Sequence, residues 1–267
     1  MIATTAELYL SLPPGRSEMG MVTGFTVEAG ALSKVQQAGW MRLLTDLVHQ
    51  LEMESCLIEH TRTGFASALR EQPLRQVEVA RFLDRLQDER LGSLFQLQQY
   101  LQVNFGTAPL REVTGQRFHV ESMTVGTLLE RSSALSAQLL VKAEQTGVYF
   151  FEALAEAAEK GGRSQLARLA LRMRFLAENR LDALRAIQAE LGEPRWMEKQ
   201  GGRVLLSLWC RRATQGVMES LELGTTTVGE AIGFDVNWFR GCLRYVQDSA
   251  GKGAELPRES VLRARAA

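Results

Sequence analysis

Cysteine, histidine and proline are all scarce in this chain: its 267 residues hold three, three and six of them. The cysteines, Cys56, Cys210 and Cys242, are odd in number, far apart and without CxxC spacing, which excludes a disulfide framework and a zinc site of the usual kind. Each sits beside apolar residues in a helical pattern and reads as a buried structural thiol. Charge of one sign is not in excess either. Lysine plus arginine and aspartate plus glutamate number 31 each, so no overall field draws the chain to nucleic acid or to an anionic membrane. Long apolar runs are missing: stretches such as Val204 to Cys210 are far too short to span a bilayer. The first twenty residues lack a positive region ahead of an apolar block, and Pro13-Pro14-Gly15 interrupts them, unlike a signal peptide. A reducing, bacterial-type cytoplasm is the compartment these absences lead us to expect. No P-loop, dinucleotide-binding glycine turn, Ser-His-Asp set or Cys-His set can be found by spacing.

What is there is helical periodicity. Residues 1–30 are rich in Thr, Ser, Gly and Pro without a sustained period, and predict an arm on the surface. From Ala31 the pattern changes. Trp40, Leu44, Leu47, Leu51, Ile58 and Phe65 recur on one face, and no proline intervenes before Pro73, so a first helix is expected over about 32–70. A second begins after Pro73, carries Phe82, Leu86, Leu97 and Tyr100, and stops at Asn104-Phe105-Gly106. Thr107 to about Ser122 has no helical period. A third helix includes Leu140, Val148, Phe151 and Ala155 and ends at Gly161-Gly162; Ser164 is placed to cap a fourth, which carries Leu166 to Leu191 and ends at Gly192 and Pro194. Short links make each pair an antiparallel hairpin. An extended link of about 16 residues reaches roughly 50 Å, enough to run beside a 30-residue helix of about 45 Å. Beyond Pro194 come an amphipathic stretch from Arg203 to Glu222, the segments Val228–Ile232 and Val236–Val246 around Gly233, and a polar, basic end.

Four glutamates fall at matched places. Glu54 and Glu144, in helices one and three, are 90 residues apart; Glu89 and Glu178, in helices two and four, are 89 apart. Arg-Phe-Leu occurs at 81–83 and again at 174–176. Glu54 lies between Leu51 and Ile58 on its stripe, Glu89 between Leu86 and Leu97, and Glu144 between Leu140 and Val148, so these three read as inward-facing. Glu178 sits at its stripe's edge beside Arg174.

Around these residues the chain resembles the ferritin-like superfamily, on its rubrerythrin-like side. The resemblance is carried by Glu144 to Leu154, Phe175 to Leu184, Leu191-Gly192-Glu193-Pro194, Asp88 to Gly92 and Phe105 to Pro109, and covers roughly residues 35–194. It implies an all-α fold: a ferritin-like four-helix bundle of two hairpins joined by a long crossover (31–194), with an N-terminal arm (1–30) and a C-terminal helical extension (195–267). It also implies a metal centre of Glu54, Glu89, Glu144 and Glu178 holding two iron or manganese ions. That family places histidine three residues after the glutamates of helices two and four; here Gly92 and Leu181 stand there.

Two function classes follow. One is a binding or interaction protein on a degenerate scaffold, its interior carboxylates paired with Arg85, Arg90 or Arg180, and its partner a protein, a small molecule or a second copy. The other is a carboxylate-bridged di-metal oxidase or oxygenase. A third reading uses the tail. Val228 to Arg240 resembles one helix-turn-helix unit of AraC-type regulators, in which Arg240 and Arg244 would touch phosphates. Gly229 stands where that motif has alanine and no second unit follows, so nucleic acid is not the expected partner. A helical hairpin with Trp238 and Phe239 buried is the simpler expectation. Of the histidines, His49 and His60 lie off the Glu54 face of their helix, and His119 lies in the crossover.

Overall fold

In the computed structural model, residues 24–106, 132–192 and 228–248 are described, and they form six helices and no strand. These are α1 (Lys34–Ala68), α2 (Pro73–Phe105), α3 (Ser133–Lys160), α4 (Ser164–Leu191), α5 (Val228–Ile232) and α6 (Val236–Asp248). None of them is long and apolar enough to cross a membrane.

The starts and stops have local causes. Ser33 opens α1 with a capping box: its hydroxyl accepts from Gln36 N at 3.2 Å, and Gln36 Oε1 accepts from Ser33 N at 3.0 Å. Pro73 occupies the first turn of α2, where its missing N–H is harmless. That helix ends at Gly106, whose left-handed backbone (φ +68°) is strained for any side chain. Between α3 and α4, Gly162 takes φ +69° and Arg163 N donates to Ala158 O at 2.7 Å, closing the turn as a Schellman motif does. A Cβ on Gly161 would stand 3.5 Å from the Trp40 ring, so this turn also receives the largest core side chain of α1.

Ser164 does not cap α4. It is the first helical residue, behind Arg163, which makes no side-chain cap. The cap comes instead from Glu28, whose Oε1 accepts from Gln165 N at 2.5 Å while its Oε2 accepts from the Tyr100 hydroxyl at 2.5 Å. A carboxylate there suits the positive end of the helix. Over its described part, residues 24–30, the N-terminal segment is mostly exposed but is anchored to the core at two points. Phe25 and Glu28 are buried, and Phe25 meets the Tyr100 ring edge-on at 5.5 Å. Residues 1–23 lie outside the described residues.

The long helices pack α1 on α2 and α3 on α4, with α1 also against α3 and α2 against α4. Trp40 at the start of α1 lies by Gly161 at the end of α3, and Arg75 at the start of α2 pairs with Glu190 at the end of α4. So α1 and α4 run one way, and α2 and α3 the other. Phe105 and Ser133 therefore lie at opposite ends, as a lengthwise crossover requires; residues 107–131, with His119, lie outside the described residues. α3 is buried on nearly every face, for α4, α1 and α6 all lie against it.

The tail segments belong to the same core. Ile232, Phe234, Phe239, Cys242 and Val246 are buried, and Phe239 meets Phe150 at 5.4 Å and Phe234 at 5.8 Å between ring centres. Gln36 Nε2 donates to Ala231 O, and the buried Lys142 ammonium donates to Val246 O at 3.0 Å in the last turns of α6, where a cation is favoured. Trp238 is half-buried, not enclosed, and stands edge-on to Tyr149 at 6.1 Å. Cys242 is buried, as expected; Cys210, the 203–222 stretch and the basic end, like the side chain of Cys56, are outside the described set.

Gly92 is a glycine in the middle of α2 at which an added Cβ meets nothing within 4 Å. Gly92→Ala should therefore stabilise the protein by about 0.5–1 kcal/mol, the usual helix-interior difference, as a rise in the urea midpoint at unchanged m-value.

Candidate functional site: a buried layer of carboxylates and arginines

The apolar core is two clusters rather than one. The first joins the beginnings of α1 and α4, the ends of α2 and α3, and the tail; the second joins the other halves of the four long helices. Between them the inward stripes turn polar, at Gln50 and Glu54 on α1, Glu89 and Arg90 on α2, Glu144 on α3 and Arg180 on α4.

Glu144 is at the centre. Its Oε1 accepts from Arg90 Nη2 at 2.6 Å and its Oε2 from Arg180 Nη2 at 3.0 Å. Arg90 Nη1 reaches on to Glu54 Oε2 at 2.8 Å, and Arg180 Nη1 donates to Glu89 Oε2 at 2.9 Å. The result is a chain of five charged groups, Glu54–Arg90–Glu144–Arg180–Glu89, that touches all four long helices. Glu54, Arg90, Glu144 and Arg180 are each 3% exposed or less, and Glu89 is nearer the rim. Burial at this level penalises every charge, and it is offset here because each guanidinium lies between two carboxylates, Arg180 hydrogen-bonded to both of its partners and Arg90 to one.

The members are not equally served. Burial would push the Glu144 carboxyl up, but Arg180 and Arg90 outweigh it and hold the group below the ordinary carboxylate range. For Glu54 burial prevails: Arg90 and the Gln50 amide, which donates at 3.1 Å, do not offset it, and Glu144 adds repulsion, so its carboxyl is raised. The Arg90–Glu54 approach is close enough for an ion pair but is not aligned as a hydrogen bond, and Glu54 Oε2 has no hydrogen-bond partner among the described atoms. The Nε atoms of Arg90 and Arg180 also lack one.

Three of the four glutamates expected at a metal centre thus come together, and the fourth does not. Glu178 stands at the half-exposed edge of α4, paired with Arg174 at 3.1 Å. Nor do the two halves of the chain repeat one another at Arg-Phe-Leu, for Phe82 is buried and Phe175 is 44% exposed. The residues present do not fit a di-metal group. The carboxylate oxygens that would bind metal are met by guanidinium nitrogens, Leu181 is an apolar core residue, and position 92 faces open space rather than the layer. Among the described residues no three His, Cys, Asp or Glu side chains are grouped to hold a metal ion. Tyr149 lies away from the layer against Trp238; burial raises its phenol, whose hydroxyl has no hydrogen-bond partner among the described atoms. His49 faces Glu52 at 3.5 Å, and the side chain of His60 is outside the described set. On α6 the apolar face is spent on the core, leaving Arg244 exposed and Arg240 bonded to Asn237. Comparison with known protein families, with curated proteins and with solved structures finds no match to this chain.

Proposed function

We propose that this chain is a degenerate ferritin-like bundle whose carboxylate centre is closed by arginine, and that it serves as a binding or interaction protein rather than a redox enzyme. The observation that carries the reading is the seating of Arg90 between Glu54 and Glu144, with Arg180 between Glu144 and Glu89. A fixed guanidinium supplies the positive charge a metal would otherwise supply, and repels a second cation from the same oxygens. The four helix directions, with two hairpins and with Phe105 and Ser133 at opposite ends of the bundle, support the ferritin-like part of the reading. The interaction part draws on the outward faces of α2 and α4. Leu91 and Phe95 are one turn apart on α2, Leu171 and Phe175 one turn apart on α4, and all four are between 43% and 58% exposed. Paired exposed apolar residues of this size are a feature of surfaces that meet partners.

Elemental analysis by plasma mass spectrometry tests it, on the protein as purified and after anaerobic loading with iron(II) or manganese(II). No metal above background and no change in Tm on loading are expected. About two ions per chain, as carboxylate-bridged di-metal proteins hold, lost in Glu144→Ala, would replace this reading with the oxidase or oxygenase one.

A further inference from the structure

Resting on the interaction part of the reading above, we infer that the partner is a second copy of this chain. The outer face of α2 lies antiparallel against the same face of the other copy, with Arg81 of each protomer set on Asp88 of its partner. Five of the nine large apolar residues exposed among the described ones lie on α2, more than on any other helix. Four of the five belong to one stripe. Leu74, Val77, Arg81, Asp84, Asp88, Leu91 and Phe95 recur at alternate intervals of three and four residues, the spacing of a seam along which helices pair, and all seven are exposed. The core face of α2, with Phe82, Leu86 and Leu97, is the opposite one.

Reversed, the stripe is complementary to itself. Its order is two apolar residues, Arg81, Asp84, Asp88 and two apolar residues. A two-fold axis crossing the helix between Asp84 and Arg85 brings Arg81 level with Asp88 of the other copy and Leu74 level with its Phe95. Val77 then falls within one residue of the level of its Leu91. Each contact is made twice, as an isologous interface requires. Among the described residues neither Arg81 nor Asp88 has an ion pair within its own chain. Asp84, nearest the axis, is paired with Arg62 of its own chain, so the two Asp84 side chains do not meet there as bare like charges. The apolar ends supply the attraction, and the crossed charges set the register. A formal net charge of zero adds no repulsion between copies.

Sedimentation equilibrium of the full chain at neutral pH and low salt tests the dimer. The expected mass is twice the 29.7 kDa of one chain. It should fall to that of one chain in Arg81→Asp, where two carboxylates replace each crossed pair, and in Phe95→Glu. The double variant Arg81→Asp/Asp88→Arg exchanges the charges and should return the dimer, which neither misfolding nor an interface placed elsewhere would do. All three positions are exposed, so the far-UV circular dichroism of the variants should match that of wild type. A wild-type chain that is monomeric at every concentration overturns the assignment. So does a dimer that survives Arg81→Asp or Phe95→Glu, or one that the charge exchange fails to restore. Metal content is read independently: a monomer without metal overturns the dimer alone, whereas metal bound at the carboxylates overturns the reading on which it rests.

Discussion

Arg90→Met should lower the unfolding free energy by about 3–5 kcal/mol, the range seen when one partner of a buried ion pair is removed. The substitution withdraws the one described group that pairs with both Glu54 and Glu144 and leaves those carboxylates near each other in the interior, with Arg180 still paired to Glu144 and Glu89. Methionine fills much of the vacated volume, so the loss would report charge more than cavity. Adding Glu54→Gln to Arg90→Met should recover part of it, because one of the stranded carboxyls becomes neutral. Urea unfolding of the two single variants and the double gives the coupling energy. A loss under about 1 kcal/mol for Arg90→Met would be that of an exposed pair, and would show that the guanidinium is dispensable to the layer.

The second large effect belongs to the tail. Phe239→Ala should cost about 3–5 kcal/mol, as truncation of a buried aromatic does. Phe239 is 1% exposed, and its ring lies among Phe150 of α3 and Phe234. Unfolding followed by tryptophan fluorescence and by far-UV circular dichroism should remain one coincident transition at a lower urea midpoint. Two separate transitions, the larger at the wild-type midpoint, would mean that α5 and α6 form an appendage able to come away, and would reopen their use as a DNA-reading hairpin.

The helices were legible because apolar stripes and glycine stops are local signals. Trp40 to Phe65 mark α1, and Gly106 and Gly161-Gly162 end α2 and α3 where a stop was expected. Glu54, Glu89 and Glu144 could be flagged as inward because each interrupts such a stripe, and the same criterion left Glu178 at the edge where the structure has it. Arg90 and Arg180 stood among the partners considered, and their choice over Arg85 rests on which turn of α2 and α4 comes level with Glu144, a matter of helix alignment that periodicity does not encode. The capping box at Ser33 and Gln36 was readable from spacing alone and was missed. The course of Phe25 and Glu28 was not readable. An irregular segment has no period, and the Glu28 cap on α4 joins residues 137 apart in sequence.

The division of the core by its polar layer fixes how the helices may slide. On either side lie clusters of apolar side chains, whose mutual attraction is non-directional. A displacement of one turn, about 5.4 Å, would carry Arg90 away from both of its carboxylates and set charged groups against leucine. Apolar packing holds these four helices together, and the charges add a cost to such a slip.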